Sequence, residues 1–339
     1  MRSGAPTQVV PARIMNFVKQ QIAQRVRDMT HTRQQPEVFL QPAGDPGLLG
    51  PHSSAWQVHA HFMAMMVGGI ASLIVQALHP RALAGVWDHS SFRDDMGARL
   101  GRTAFFIAAT TYGGRAMAEQ AMQRVQRIHR QVQGVDALGQ AYRADDPHLL
   151  AWVHLAECTS FMHAYDAHGQ DRYFADMALL GSAMGTGRVP ANRAACERAL
   201  LNYLPELRCD ERTRYVLNRL DDYPTEPPYR PLMKMVVRAA HHSLPAWVYP
   251  LLQQPEPSWA ERWWVRQALA QVSAPIQWAL NDEGVPPSPG NGCDKLGTWA
   301  LRKQGKLTGW IPTLSKKYGP SAASCATGAT ASPPPVPIK

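Results

Sequence analysis

Two histidines fall where a helix turns its apolar face inward. His129 follows Ile128 in a segment whose Ala118, Ala121, Met122, Val125, Ile128, His129 and Val132 recur at helical spacing and which stops before Gly134. His154 lies beside Val153 in the next segment, which opens at Pro147 behind a capping Asp145 or Asp146 and carries Leu150, Glu157 and Phe161 on the same face. One such histidine is most simply a hydrogen-bonded core residue. Two on consecutive helices, with His79 and His89 upstream, weigh equally for a metal or haem centre. The chemistry suits imidazole, which offers one lone pair to iron while its other nitrogen donates to a neighbouring acceptor.

Arg99, Arg102 and Thr103 are spaced i, i+3, i+4 and share a helix face. Such a trio is ordinarily a solvated basic face. Here Leu100 and the run Ala104-Phe105-Phe106-Ile107-Ala108-Ala109 carry the helix into the core, so its first turn can aim guanidinium groups at a buried anion. The commonest alternatives are missing: the sequence has no phosphate-binding GxxxxGK[ST], no GxGxxG after a strand, no HExxH and no GxSxG. The glycine-rich stretch from Gly181 to Gly187 reads as a loop between helices.

The elements that must position these residues are helical nearly throughout. Beyond the two segments above, helices are expected over 172–182, 191–204, 208–221, 229–242 and 258–281, with no convincing alternating strand and no internal repeat. The fold class is therefore all-α. Residues 12–29 form a basic amphipathic helix with Ile14, Met15, Val18, Ile22 and Val26 on its apolar face, suited to packing on the domain or to peripheral membrane contact. Residues 31–53, rich in Pro, Gly and Gln, read as a connection, and the Ala/Ser/Thr/Pro-rich end cannot bury a core. The expected organisation is 1–50 for helix and linker, 51–315 for one catalytic domain and 316–339 for a disordered tail.

Composition sets outer bounds. The chain has 339 residues, 45% hydrophobic and only 18% charged, which argues for a globular protein with a substantial core. Its net charge of +9 comes without a long basic run or a stacking platform, so nucleic acid is not expected as a partner. Five widely spaced cysteines (Cys158, Cys196, Cys209, Cys293 and Cys325) form no CxxC and fit a reducing compartment. With no apolar signal region at the N-terminus, a cytoplasmic location is expected, peripheral to a membrane at most. The uncharged stretch from Phe62 to Leu78 reads as a buried core helix rather than a membrane span.

Several words taken in order carry a family resemblance: His79-Pro80, His89-Ser90-x-Phe92-Arg93, Arg99-Leu100-x-Arg102-Thr103, His129 with Gly134, and Asp146-Pro147 with Trp152-Val153-His154. Together they resemble the oxygenase family that includes latex-clearing protein (rubber oxygenase) and the fungal MpaB oxygenase, most strongly over residues 60–180. The resemblance implies a globin-like helical core holding non-covalent haem b, with O₂ as co-substrate in oxidative cleavage of isoprenoid double bonds. It implies His129 as the axial iron ligand. Arg99, Arg102 and Thr103 would line the distal side or hold the propionates, with His89 and Arg93 also at the cofactor and His154 as a distal or supporting group. Two departures stand out. Some rubber-cleaving members carry a lysine at the place of Arg102, and a lysine can close the sixth iron position whereas an arginine, lacking a lone pair, cannot. The glutamate they use as a distal base is also missing, since only Asp88, Asp94 and Asp95 lie between His79 and Glu119. An open distal site and an apolar substrate other than polyisoprene follow as expectations.

Two other classes compete. A non-haem metalloenzyme would use His89, His129 and His154 with Glu157 or Asp88. A non-catalytic helical protein would bind lipid through residues 12–29 and an apolar cavity.

Overall fold

The computed structural model describes residues 12–29, 42, 44–165 and 171–280. In chain order its helices are α1 (Ala12–Met29), α2 (Ser54–His59), α3 (Phe62–Gln76), α4 (Pro80–His89), α5 (Met96–Tyr112) and α6 (Arg115–His129). There follow α7 (Pro147–Tyr165), α8 (Asp171–Met184), α9 (Arg193–Leu201), α10 (Glu211–Asp221), α11 (Arg230–His242), α12 (Val248–Leu252) and α13 (Trp259–Leu280). The all-α expectation holds. The expected tail, Cys293 and Cys325 lie outside the described residues, as does most of the connection from 31 onward.

The organising contact is α3 against α7. Both helices are apolar around most of their circumference, and a helix without a polar face has to be buried on all sides. Phe62, Met63, Val67, Ile74 and Val75 of α3 lie in the same core as Trp152, Leu155, Phe161 and Met162 of α7. Gly68 sets how closely the two approach. A Cβ there would lie 2.7 Å from Phe161 Cδ1 and 2.8 Å from Phe161 Cα, and a backbone atom cannot swing aside as a flexible side chain can. Gly68→Ala is therefore expected to destabilise the fold by about 1–3 kcal/mol through overpacking, despite alanine's better helix propensity. A denaturant midpoint equal to that of the parent protein would refute this.

Around this pair the remaining helices close the core. A buried relay ties α2, α5 and α8 together: the two ring nitrogens of His59 lie 2.8 Å from Thr111 Oγ1 and 3.2 Å from Tyr173 Oη. Burial drives the His59 pKa down to about 3, so the ring is neutral and hydrogen-bonded rather than charged. Asp95 caps α5, accepting from the Ala98 amide at 2.8 Å. Asp146, one of the two anticipated caps, accepts from the His148 amide at 2.9 Å at the start of α7.

Three local readings change. Residues 133–143 form a two-stranded antiparallel hairpin, β1 (Gln133–Val135) with β2 (Ala141–Arg143), where no strand was expected. Its strands are too short for alternation to register as a pattern. Its turn is held by Asp136, whose Oδ1 accepts from the amides of Leu138 and Gln140, each at 2.9 Å. Ile128, placed on the inward face of α6, is 50% exposed. Gly181, read as part of a loop, lies within α8, and the turn begins only at Gly185.

The basic helix α1 packs on α13. Val26 is buried there, and Lys19 Nζ stands 4.9 Å above the Trp278 ring. Among the described residues no single helix is long and apolar enough to cross a membrane. Only α3 and α4 taken together pass on length and composition, and they are bent by 106° to one another.

Candidate functional site

The first turns of α5 and the end of α6 bring two of the anticipated residues into electrostatic reach. Arg99 is half-buried on α5, and His129, the last residue of α6, is half-buried as well. Burial and the neighbouring Arg102 pull the Arg99 guanidinium down to about 10, still charged at neutral pH. Among the described residues no carboxylate pairs with it and no acceptor hydrogen-bonds to it. A desolvated cation without an anion is expensive, and native proteins ordinarily avoid it. The His129 ring is held below the usual imidazole range, first by burial and then by the Arg99 charge, with Asp145 opposing. At neutral pH it therefore keeps a free lone pair.

His154 sits on α7 and faces α8. A Cβ at Gly181 would lie 2.8 Å from His154 Nε2, so the missing side chain is the seat of the ring. Cys158 Sγ stands 3.5 Å from the same nitrogen. Burial lowers the His154 pKa to about 4, against a raising hydrogen bond with the Met177 backbone. Gln126 on α6 donates to the Ala183 carbonyl at 2.8 Å, which fixes the end of α6 relative to the helix that seats His154.

The other anticipated residues are dispersed. Arg102 is half-buried, with its guanidinium 3.4 Å from Ser91 Oγ. Thr103 is exposed, and its hydroxyl donates to the Arg99 carbonyl at 3.3 Å. His89 is exposed and edge-on to Tyr142 at 6.4 Å. Arg93 is exposed and stacks 5.1 Å from the Trp87 ring. Neither His89 nor Arg93 takes part in the interaction of Arg99 with His129. The donor set of a non-haem site fails to assemble: among the described residues His89, His129 and His154 do not converge with Glu157 or Asp88 into a group of ligand atoms.

Glu157 carries more weight than its sequence context suggested. It is the single acid of α7, one turn beyond His154, and it keeps accessible surface while dense surroundings push its carboxyl up to about 7. A lone carboxylate on an otherwise apolar helix was the signal available in the sequence.

The fold thus brings a half-buried imidazole within electrostatic reach of a half-buried guanidinium in a helical protein. Residues 56–274, more than half of the chain, match the family model described as ER-bound oxygenase mpaB/B'/Rubber oxygenase, catalytic domain. The chain belongs to this family, and it is an enzyme of the oxidoreductase kind, an oxygenase. No curated protein and no solved structure matches it.

Proposed function

We propose that the protein is a haem b-dependent oxygenase that uses O₂ to oxidise or cleave a carbon–carbon double bond in an apolar, isoprenoid-like substrate. The observation that carries the reading is the half-buried Arg99 guanidinium, without an anionic partner among the described residues, within electrostatic reach of His129. A propionate is the anion that Arg99 lacks. His129 would hold the iron through a ring nitrogen, and a porphyrin would need no further histidine from the chain, which is consistent with histidines that do not converge on one another.

Haem b, when bound, supplies the iron and the redox chemistry toward O₂. The protein's part is positioning and exclusion of water. Leu100, Ala104 and Phe106 of α5, Val153 of α7 and Met184 of α8 are all incompletely buried and offer apolar wall for an alkene. Glu157, near 7, can take or return a proton at a carboxyl oxygen under neutral conditions. Arg102, whose guanidinium has no lone pair to give, would not coordinate the iron. Cleavage of an alkene to two carbonyl groups places one oxygen atom of O₂ in each, so the overall reaction needs no external reductant.

The test is an absorption spectrum of protein produced with a haem supply. A Soret band at about one haem per chain is expected. Metal without porphyrin would move the assignment to a non-haem enzyme, and vesicle binding with neither would make it a lipid-binding helical protein.

A further inference from the structure

A second cluster of ligating side chains lies where the start of α4, the start of α7 and the 3-10 turn Leu204–Glu206 meet. Glu206 is at its centre. Its Oε1 is 2.7 Å from His148 Nε2, and its Oε2 is 3.3 Å from His79 Nε2 and also pairs with the Arg81 guanidinium. The donor atoms of His79, His148 and Glu206 all fall within 4.8 Å of one another. His79 is only 1% exposed; its Nδ1 has no hydrogen-bond partner, and its Nε2 meets only the Glu206 carboxylate. A fully satisfied core histidine would not leave a buried ring nitrogen idle.

We propose that His79, His148 and Glu206 form a metal site for a divalent first-row transition ion of the zinc class. Two imidazoles and a carboxylate are the donors such an ion takes, and at bonds of 2.0–2.1 Å the donor atoms of a tetrahedral site stand about 3.3 Å apart. The His79–Glu206 separation already has that value. The shorter His148–Glu206 contact is the hydrogen bond the pair makes without the ion, and it opens by a few tenths of an ångström on binding. The rings are preset by their neighbours. Tyr203 stacks on His148 at 4.4 Å and donates its hydroxyl to the His148 carbonyl at 2.9 Å, while Trp152 and Tyr203 flank His79 at 5.8 and 6.2 Å. Such support from behind the ligands lowers the ordering cost of binding.

A cleft lined by Asp136, Gln140 and Arg208 together with His79, Arg81 and Glu206 adjoins the cluster. Asp136 Oδ2 is likewise buried without a partner, so the cleft is bordered by a second polar atom awaiting a ligand or a bound water. Arg81 is the competitor. Its guanidinium occupies the Glu206 oxygen that the ion would share, and its charge opposes a second cation. The site shares no ligand with the His129–Arg99 pair, so it stands or falls apart from the haem assignment.

The experiment is calorimetric titration of full-length protein with Zn²⁺ after EDTA dialysis, a treatment that leaves any porphyrin in place. One equivalent is expected to bind, at least tenfold more weakly in both His148→Ala and Glu206→Gln, and more tightly in Arg81→Ala. Zinc should also raise the melting temperature of the parent protein and not of Glu206→Gln, with circular dichroism confirming that the variants fold. The proposal is overturned if zinc is not taken up, or if either ligand variant binds as the parent does. It is overturned too if Arg81→Ala weakens binding alongside the other two, because the cluster is then an ionic network and no metal site.

Discussion

His129→Ala is expected to yield a folded helical protein from which the Soret band is lost. His129 ends α6 and is only half-buried, so truncating it removes little core packing and the helix loses no interior turn. On the proposed function it removes the nitrogen that would hold the iron, and haem that is not covalently attached would then depend on propionate contacts and apolar fit alone. Adding imidazole to the variant should restore the band by filling the vacated space. His154→Ala is the contrast. That ring is neutral, with a pKa near 4, and is wedged against Gly181, so its loss should shift or broaden the spectrum while about one haem per chain is kept. A variant at 129 that retains a normal spectrum, or loss of haem only at 154, would exchange the two roles and remove the present assignment.

The second large effect belongs to Arg99. Arg99→Leu should weaken haem retention by about tenfold to a hundredfold, the worth of one charge-assisted contact of 1.5–3 kcal/mol. Its haem-free form should be more stable than the haem-free parent, because a desolvated cation with no anion is exchanged for an apolar side chain of comparable reach. Opposite signs in the two forms are the signature. A structural ion pair would destabilise both, and a solvated surface arginine would change neither. The pH response moves with it. The Arg99 charge is one of the two influences that hold His129 below its ordinary pKa, so removing it raises that pKa. The ring then protonates earlier as the pH falls, and acid release of haem should begin at a higher pH than in the parent. Midpoints of acid-induced Soret loss that coincide in the two proteins would count against electrostatic coupling between residues 99 and 129.

Much of the helical plan was legible because long amphipathic or wholly apolar segments carry their period on their face. The segments around α6, α7 and α11 coincide with their sequence expectations to within a few residues. The misses are local and physical. Ile128 fits the α6 stripe by type, yet a stripe of seven positions spans more of the circumference than one neighbouring helix can cover, and Ile128 lies at the uncovered edge. The hairpin after α6 depends on Asp136 satisfying two amides, a turn device with no apolar signature. Gly181 reads as a breaker by composition, while in the fold it is tolerated inside α8 because a ring from another helix occupies the space of its absent side chain.

The site divides in the same way. Residue type and spacing were enough to select His129, His154 and the Arg99, Arg102, Thr103 face, since imidazole on an apolar stripe and guanidinium at the mouth of a core helix are recorded in the chain itself. Which of them meet was decided by packing. Thr103 turns outward and His89 and Arg93 stand in solvent, whereas Arg99 reaches the electrostatic neighbourhood of His129 through the pairing of α5 with α6. The carboxyl shift of Glu157 and the idle Nδ1 of His79 were beyond any one-dimensional reading. Both arise from desolvation, and desolvation is a sum over atoms that come from residues far apart in the chain. The sequence by itself determined a helical protein with the words of the mpaB/rubber oxygenase family in order. The tertiary structure alone decided which side chains lose water, and therefore which of those residues are left charged, neutral or unpartnered where a ligand can use them.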